Sequence, residues 1–174
     1  VSRSSDSLGP SRKQIEDLLR GADRRLVLVA QRLLGLLHAP LDACELLRQV
    51  LALYAPGHPG VRFELEIPEG ALDVQWDGDM VKRALINYVD NALGALEGRG
   101  RIRLGLRVAG ERLRFEVDDA GPGIPEEQRA RLFEPYFSTK RKGTGLGLAI
   151  ARRIAQDHGG EAFFEPLPQG SRFG

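Results

Sequence analysis

This sequence is short of cysteine, of net charge and of long apolar runs, and each shortage excludes a class of protein. The single cysteine, Cys44, leaves no partner for an internal disulfide and no basis for a metal site made of several thiolates. Lysine and arginine total 25 against 24 acidic residues, so a net charge of +1 provides no overall field for nucleic acid or an anionic membrane. No apolar run approaches the ~20 residues of a membrane span. We therefore expect no nucleic-acid partner and no membrane contact for this chain.

What the sequence does contain is enough apolar material for a globular core. Of its 174 residues, 42% are hydrophobic, which suits one domain with a helical appendage. The chain begins at Val1 without a signal-peptide pattern and ends in SRFG. We expect a piece of a longer protein located in the cytoplasm, and the attachment of that longer protein to a membrane stays open.

Residues 1–40 contain one long predicted helix. Apolar side chains recur there at alternating spacings of four and three, which keeps one stripe facing a partner helix. The stripe consists of Ile15, Leu19, Ala22, Leu26, Val29, Leu33 and Leu36. Further leucines widen it, which favours a bundle of several helices over a two-stranded coiled coil. We predict a partial dimerisation helix and linker over residues 1–40 and a second domain over residues 41–174, the alternative being a helix packed on its own domain.

The second domain mixes helices and strands without strict alternation. Periodicity and turn signals predict helices over 41–54, 78–97, 126–131 and 145–158, and strands over 61–67, 74–76, 101–108, 112–119, 161–165 and 171–173. Asp77 is the predicted cap of the second helix. The run from Ala109 to Glu111 separates two strands as a hairpin turn. This pattern favours an α/β two-layer sandwich, a mixed sheet packed on helices, over a doubly wound sheet.

Three glycines at alternate positions open the last predicted helix, in the run from Gly143 to Leu148. Glycine permits close backbone approach, and the free N–H groups at a helix start favour an anion. The run is therefore a candidate phosphate site, although glycines also serve turns and helix packing. Lys140, Arg141 and Lys142 precede it directly, so at least one of them is placed to reach a phosphate. A solvated charge run is the alternative.

Two amides lie on one face of the predicted 78–97 helix. Asn87 and Asn91 are four residues apart, and asparagine is a poor helix former whose buried amide is costly without a partner. Amide oxygens suit Mg²⁺ when phosphates supply the remaining ligands. A magnesium and phosphate site is one interpretation, and amides that cap neighbouring backbone are the other.

A carboxylate ends the strand over 112–119 and precedes a Gly-Pro-Gly turn. Asp119 is placed at the mouth of the sheet, where it can accept a hydrogen bond from an exocyclic amino group such as that of adenine. Its neighbour Asp118 is expected to face solvent, because strand side chains alternate. An ordinary turn without function is the alternative.

Four motifs appear in order: ALINYVDNALGAL, DAGPGI, LFEPYF and GTGLGLAIARRIAQDHGG. They resemble the N box, first glycine box, F box and second glycine box of the catalytic and ATP-binding domain of sensor histidine kinases, within the superfamily that includes DNA gyrase, MutL and heat-shock chaperone ATPases. The resemblance covers about residues 41–174, and the preceding helix is similar to the second helix of the family's dimerisation bundle. It implies a Bergerat-type ATP-binding fold with ATP and Mg²⁺ as ligands.

The resemblance also implies a role for each motif residue. Asn91 would hold Mg²⁺, and Asn87 and Lys140 would act in catalysis. Asp119 would read adenine with support from Ser171, while Phe133 and Phe137 would anchor a lid. The implied ATP-binding residues are Asn87, Asn91, Asp119, Gly121, Gly123, Ile124, Lys140, Gly143, Thr144, Gly145, Leu146, Gly147, Leu148 and Ser171.

One position separates the subfamilies of this superfamily, and another departs from the pattern of relatives. The superfamily's hydrolases carry a glutamate as general base four residues before the magnesium asparagine. Asn87 stands at that place here, and an amide cannot take a proton at neutral pH. That favours phosphoryl transfer over hydrolysis. Gly94 stands where many relatives carry a basic residue near the phosphates, which leaves more of that task to Lys140.

The resemblance implies a protein histidine kinase fragment that forms a homodimer through the 1–40 helix and supplies phosphate to the receiver domain of a response regulator. His38, His58 and His158 all lack the acidic residue that follows the family's phosphoacceptor histidine, so the substrate histidine is expected upstream of Val1. Two alternatives stay open. One is a serine kinase of the anti-sigma type, which shares the boxes, and the other is a non-catalytic module that dimerises or docks when ATP binds.

Overall fold

The computed structural model describes residues 40–110, 112–138, 140 and 143–174. The predicted dimerisation helix, whose stripe runs from Ile15 to Leu36, lies outside the described residues, as do Arg141 and Lys142. Pro40–Gly174 forms one folding unit and contains every residue assigned to the candidate site.

Within the described residues there are four α-helices and seven strands. The helices are α1 (Ala43–Tyr54), α2 (Gly78–Leu96), α3 (Glu126–Arg129) and α4 (Gly147–Asp157), and a 3₁₀ turn at Ala55–Gly57 follows α1. The strands are β1 (Leu41–Asp42), β2 (Val61–Glu66), β3 (Asp73–Val74), β4 (Gly100–Ala109), β5 (Arg112–Asp119), β6 (Phe164–Pro166) and β7 (Ser171–Phe173).

Five of the strands form one mixed sheet in the order β2-β4-β5-β7-β6. β2 runs parallel to β4, and the other neighbouring pairs are antiparallel. β4 and β5 form the predicted hairpin, at whose end Ala109 lies opposite Arg112. β1 and β3 form a separate antiparallel pair.

The helices pack on this sheet and on one another around a single core. Asp77 caps α2 by accepting a 3.1 Å hydrogen bond from the N–H of Met80, as predicted. Helices α1 and α2 lie against the sheet, and α4 packs along α2. The core between them consists of inward-facing apolar side chains of both layers, chiefly Leu47, Leu85, Val89, Ile102, Leu104, Val117 and Phe173. A mixed sheet packed on helices confirms the predicted α/β two-layer sandwich.

The opposite face of the sheet carries a network of ion pairs. Asp118 is 14% exposed, and its two oxygens lie 2.8 Å from Arg172 Nε and 2.8 Å from Arg103 Nη2. Burial alone would raise the pKa of Asp118, but hydrogen bonds from Arg172 and Arg103 outweigh it and hold the pKa below its ordinary value. The prediction that Asp118 faces solvent is therefore wrong. Alternation does turn it away from the helices, but arginines on neighbouring strands cover it.

Several predicted bounds shift in the structure, and the helix predicted over 41–54 begins at Ala43, because Leu41–Asp42 pairs as a strand with β3. Helix α4 begins at Gly147 rather than at 145, because Gly145 has a φ of +66°, which is incompatible with a right-handed helix. The strand predicted over 74–76 is only Asp73–Val74, and Trp76 instead packs against Phe115 with ring centroids 5.7 Å apart. The strand predicted over 161–165 begins at Phe164.

Candidate functional site

Asn87 of α2 lies against the first residue of α4. A Cβ atom at Gly147 would lie 3.2 Å from Asn87 Oδ1, so the amide packs closely on the start of the helix. The Asn87 Nδ2 atom is shielded from solvent and has no hydrogen-bond partner among the described residues. Leaving a buried polar group unpaired costs about 1–3 kcal/mol. Asn87 Nδ2 is therefore an unpaired donor beside the start of α4.

The start of α4 presents backbone N–H groups without a side-chain cap. Leu146 is the N-cap residue, and it makes no capping hydrogen bond. Just before the helix, the hydroxyl of Thr144 accepts a 3.4 Å bond from the N–H of Leu146. Leu148 is partly buried against the core, which holds the first turn of the helix in place. The positive end of the helix dipole is thus open to an anion beside Asn87.

The segment 133–138, which we call the strap, is tied to the second glycine motif through backbone contacts. Tyr136 N–H donates a 2.9 Å bond to the carbonyl of Gly145. Gly145 has a φ of +66°, and a Cβ atom there would lie 2.8 Å from Phe137 N, so only glycine fits. Tyr136 has the same φ of +66°, which is uncommon for a residue with a side chain. Its side chain is 79% exposed.

Two phenylalanines anchor the strap to the domain. Phe133 packs edge-on against Phe173 with ring centroids 6.3 Å apart, and Phe173 stacks on Tyr88 of α2 at 6.1 Å. Phe137 is partly buried on the core and carries the guanidinium of Arg131 at 4.6 Å from its ring centroid. The strap is therefore held at both ends by aromatic packing.

Lys140 connects the end of the strap with α2. Its Nζ donates to the backbone carbonyl of Asn91 at 3.0 Å and to Asn91 Oδ1 at 3.3 Å. Its own carbonyl accepts a 3.1 Å bond from the N–H of Gly143, the first glycine of the motif. Desolvation lowers the pKa of Lys140, and the negative charges of Asp119 and Asp90 oppose that change. The ammonium therefore lies within electrostatic range of Asp119.

Asp119 is a buried carboxylate at the end of β5. It is 4% exposed, its Oδ1 accepts a 2.8 Å bond from the N–H of Gly121, and it lies opposite Ser171 of β7. Burial raises the pKa of Asp119, while the backbone N–H groups of Gly121 and Ser171 favour the charged form and oppose the rise. A carboxylate has about four acceptor positions. Asp119 is therefore fixed by the backbone and still able to accept a bond from a ligand.

The turn after Asp119 contacts the Asp119 carboxylate and also lines a depression on the surface. A Cβ atom at Gly121 would lie 2.7 Å from Asp119 Oδ1, so this glycine lets the turn close on the carboxylate. Gly121, Gly123 and Ile124 also line an open depression of about 640 Å³ between the turn and the hairpin loop 166–170. Neither Asn87 nor Asn91 lines that depression.

The predicted site residues thus form three groups. Asn87 meets the α4 start, Asn91 meets Lys140, and Asp119 meets Gly121 and Ser171. Among the described residues, no three histidine, cysteine or acidic side chains cluster in a way that suits a metal ion.

Two glycines contribute to the site in ways that sequence reasoning missed. Gly170 has a φ of +90° and lies so close to the carbonyl of Asp119 that no side chain fits there. A Cβ atom at Gly94 would meet the side chain of Lys140. From the sequence, Gly170 indicates only a turn before a strand, and the resemblance marks Gly94 only as a position where relatives carry a basic residue. Neither feature predicts the contact of Gly170 with Asp119 or that of Gly94 with Lys140.

Comparisons with known proteins identify a matching family and similar relatives. Residues 76–174 match the family described as histidine kinase-, DNA gyrase B-, and HSP90-like ATPases. The chain is 42% identical over 136 residues to nitrogen regulation protein NtrY of Azorhizobium caulinodans, an alignment that covers 74% of the chain. The chain spans 18% of the length of NtrY, so it corresponds to one part of that longer protein. In the described part of the chain, no helix has the length and apolar character needed to cross a membrane.

Solved structures of histidine kinases have a similar fold. The catalytic domain of histidine kinase ThkA, in a nucleotide-free form, aligns with a TM-score of 0.72 and 35% identity over 78% of this chain and 91% of that one. Histidine kinase ThkA in complex with response regulator protein TrrA aligns with a TM-score of 0.67 and 25% identity over 97% of this chain and 52% of that one.

Proposed function

This chain belongs to the family of histidine kinase-, DNA gyrase B- and HSP90-like ATPases, and from that membership we propose that it binds Mg·ATP and transfers the γ-phosphate to a histidine side chain. The similar folds of proteins named histidine kinases support this choice within the family. The observation that carries the proposal is the buried, unpaired Nδ2 of Asn87 beside the uncapped start of α4. A phosphate oxygen is an acceptor that satisfies both groups at once.

In this proposal the nucleotide is held at two ends. Asp119 accepts a hydrogen bond from the adenine amino group, since the carboxylate is buried and already oriented by Gly121 N–H. The α4 start, Asn87 Nδ2 and the Lys140 ammonium bind the phosphates. The run from Gly143 to Gly147 surrounds them, supported by the bond from Gly143 N–H to the carbonyl of Lys140.

Asn91 Oδ1 is the proposed protein ligand of Mg²⁺. An amide oxygen is a suitable donor for this hard cation, which keeps several waters and takes its other ligands from substrate phosphates. The lack of an acidic or histidine cluster in the described residues suits a metal that arrives with the nucleotide. When bound, Mg²⁺ neutralises charge on the phosphates.

Transfer is favoured over hydrolysis because the residue beside the phosphates is Asn87. Its amide cannot remove a proton from water, whereas an imidazole nitrogen attacks phosphorus with its own lone pair. The chain contributes orientation: Asn87 and the α4 start hold the phosphate, Lys140 offsets its charge, and the strap limits access of water.

The acceptor histidine is proposed to lie outside the described residues. His158 uses both ring nitrogens, since Nε2 accepts a 3.2 Å bond from Asp77 N–H and Nδ1 lies 2.8 Å from the carbonyl of Ile154. His58 Nδ1 lies 2.9 Å from the carbonyl of Tyr54. Both side chains are engaged in the fold, so a histidine on another segment or another chain is the better nucleophile.

We also propose two protein partners for this chain, a second copy of it and a response regulator. A homodimer through the helix of residues 1–40 would present the acceptor histidine to the site, and a response regulator receiver domain would take the phosphate onward. The structure of ThkA with response regulator protein TrrA supports that second step by similarity. We place these events in the cytoplasm, where ATP is supplied.

The stability of the phosphorylated product in acid and alkali provides the test of the proposed kinase activity. The chain is incubated with radiolabelled Mg·ATP and a helical segment in which a histidine precedes an acidic residue. Acid-labile, alkali-stable label on that segment is the expected result. Alkali-labile phosphoserine on an added partner would support a serine kinase instead. Tight ATP binding without label on either would support a docking module.

The variant Asn87→Leu tests the observation on which the proposal rests. We expect ATP to bind at least about tenfold more weakly, because a charge-assisted hydrogen bond to phosphate is lost. The nucleotide-free variant is expected to melt no lower than wild type, because the unpaired amide is removed. Unchanged ATP affinity in calorimetry would contradict the assignment.

A further inference from the structure

We infer that Gly94 is a positioning residue: the missing side chain at Gly94 opens the path by which Lys140 crosses the last turn of α2 and places its ammonium on Asn91. This inference rests on the proposed function, in which Lys140 and Asn91 act on Mg·ATP. Lys140 would touch the phosphates, and Gly94 would act only through Lys140.

The backbone of α2 does not require glycine at this position. Gly94 lies within the helix bounds Gly78–Leu96 and is not one of the glycines with positive φ. Glycine is the poorest helix former apart from proline. Local structure alone would therefore favour alanine, and the reason for glycine must lie in what packs against it.

The side chain of Lys140 fills the space that a side chain at Gly94 would need. A Cβ atom there would overlap Lys140 Nζ, and it would lie 3.1 Å from Cε and 3.5 Å from Cδ. The end of the lysine stem and its ammonium thus lie directly over the glycine. From this position Nζ reaches both the carbonyl and Oδ1 of Asn91.

This arrangement decides which element supplies the positive charge beside the proposed metal ligand. Because α2 has no side chain at Gly94, Lys140, which follows the strap in the chain, supplies that charge. The ammonium bonds to Asn91 Oδ1, the same oxygen assigned to Mg²⁺, and two cations do not share one oxygen without repulsion. Binding of Mg·ATP therefore shifts Lys140 from Oδ1 toward the phosphates, and the open path over Gly94 keeps it within reach.

The experiment is a double-mutant cycle with Gly94→Ala and Lys140→Met, read by calorimetry with Mg·ATP and with AMP. Gly57→Ala is the matched control, because a Cβ atom at Gly57 meets nothing within 4 Å. We expect Gly94→Ala and Lys140→Met each to weaken Mg·ATP binding about tenfold, the value of a charge-assisted bond to phosphate. The double variant should match Lys140→Met within about twofold. AMP affinity should stay constant, because AMP lacks the phosphates that Lys140 reaches.

A second readout needs no nucleotide. In wild type the Lys140 ammonium should give a protected ¹⁵N-bonded proton signal, because two acceptors hold it, and Gly94→Ala should abolish that signal while the melting temperature does not fall. Wild-type affinity in Gly94→Ala, or equal weakening by Gly94→Ala in the Lys140→Met background, overturns the inference. If wild type fails to bind Mg·ATP, the proposed function falls, whereas the ammonium signal still decides whether Gly94 positions Lys140.

Discussion

Replacing Asp119 by asparagine should change which purine base the site prefers. Gly121 N–H donates to Asp119 Oδ1 at 2.8 Å. In Asp119→Asn the amide oxygen will keep the bond from Gly121 N–H, since the flipped amide would point its NH₂ donor at that N–H donor. The amide NH₂ will then face the base, where adenine also presents a donor and hypoxanthine presents a carbonyl oxygen.

The magnitude follows from the value of one hydrogen bond to a charged group. Loss of about 1.5–3 kcal/mol for ATP corresponds to about 10- to 150-fold weaker binding. ITP should bind the variant no worse than wild type, because its carbonyl finds a donor in place of a negative charge. Calorimetry with ATP and ITP measures both affinities, and their ratio should move toward ITP by at least about tenfold.

Asp118→Asn is the matched control, because Asp118 is the neighbouring carboxylate on the other face of β5 and bonds to Arg172 and Arg103. Its ATP to ITP ratio should equal that of wild type. An unchanged ratio in Asp119→Asn would refute the assignment of Asp119 to base recognition. An equal change in both variants would show a general effect of lost charge.

Stability provides an independent check on Asp119. Its pKa in the folded protein is raised by burial, so the folded state is penalised when the group ionises. That penalty is absent below the ordinary carboxyl value of 3.8 and is complete above the folded pKa. Without nucleotide, Asp119→Asn should therefore melt above wild type at pH ~7, and the difference should disappear in acid.

Three further predictions concern the metal, the ion pairs and a cap. Asn91→Ala should abolish the part of ATP affinity that depends on Mg²⁺, so that variant and wild type bind equally in EDTA; a remaining Mg²⁺ effect would exclude Asn91 as the ligand. Arginine bonds lower the pKa of Asp118, so Asp118 stabilises the fold above its ordinary value of 3.8 and that contribution is lost as pH falls through the lower folded pKa. In Asp118→Asn the free energy of unfolding in urea should thus fall less than in wild type as the pH is lowered. Parallel plots of unfolding free energy against pH for the two proteins would contradict this. His158→Leu removes the acceptor of the Asp77 N–H and should lower the free energy of unfolding by about 0.5–1.5 kcal/mol, whereas an unchanged urea midpoint would mean that the bond contributes nothing.

Much of the fold follows from local patterns in the sequence. Alternation over 61–67 and 112–119 predicts β2 and β5, and Asp77 predicts the start of α2, because each depends only on neighbours along the chain. The order of the strands in the sheet does not follow from these local patterns. Nothing in the VRFELE run indicates that it pairs in parallel with β4, because pairing partners lie far apart in the sequence.

The candidate site, too, could be predicted from the sequence only in part. Spacing places Asn87 and Asn91 on one helix face, and the turn places Asp119 at a strand end. Side-chain packing across elements is not encoded in spacing, so the position of Lys140 over Gly94 could not be derived. Alternation correctly placed Asp118 on the face opposite Asp119, but it contains no information on what covers that face.

The adjacent carboxylates of β5 also protect the strand against misalignment. Asp118 fits among arginines on one face, and Asp119 fits the backbone donors of the other face. A slip of β5 by one residue would exchange the two faces of the strand, which would turn Glu116 and Asp118 toward the apolar core and Val117 toward the arginines. Asp118 would lose its arginine partners in that misfolded register, whereas the local bond from Gly121 N–H to Asp119 does not depend on the register. The ion pairs on the outer face therefore help to fix the register of the strand that carries the proposed base-reading residue.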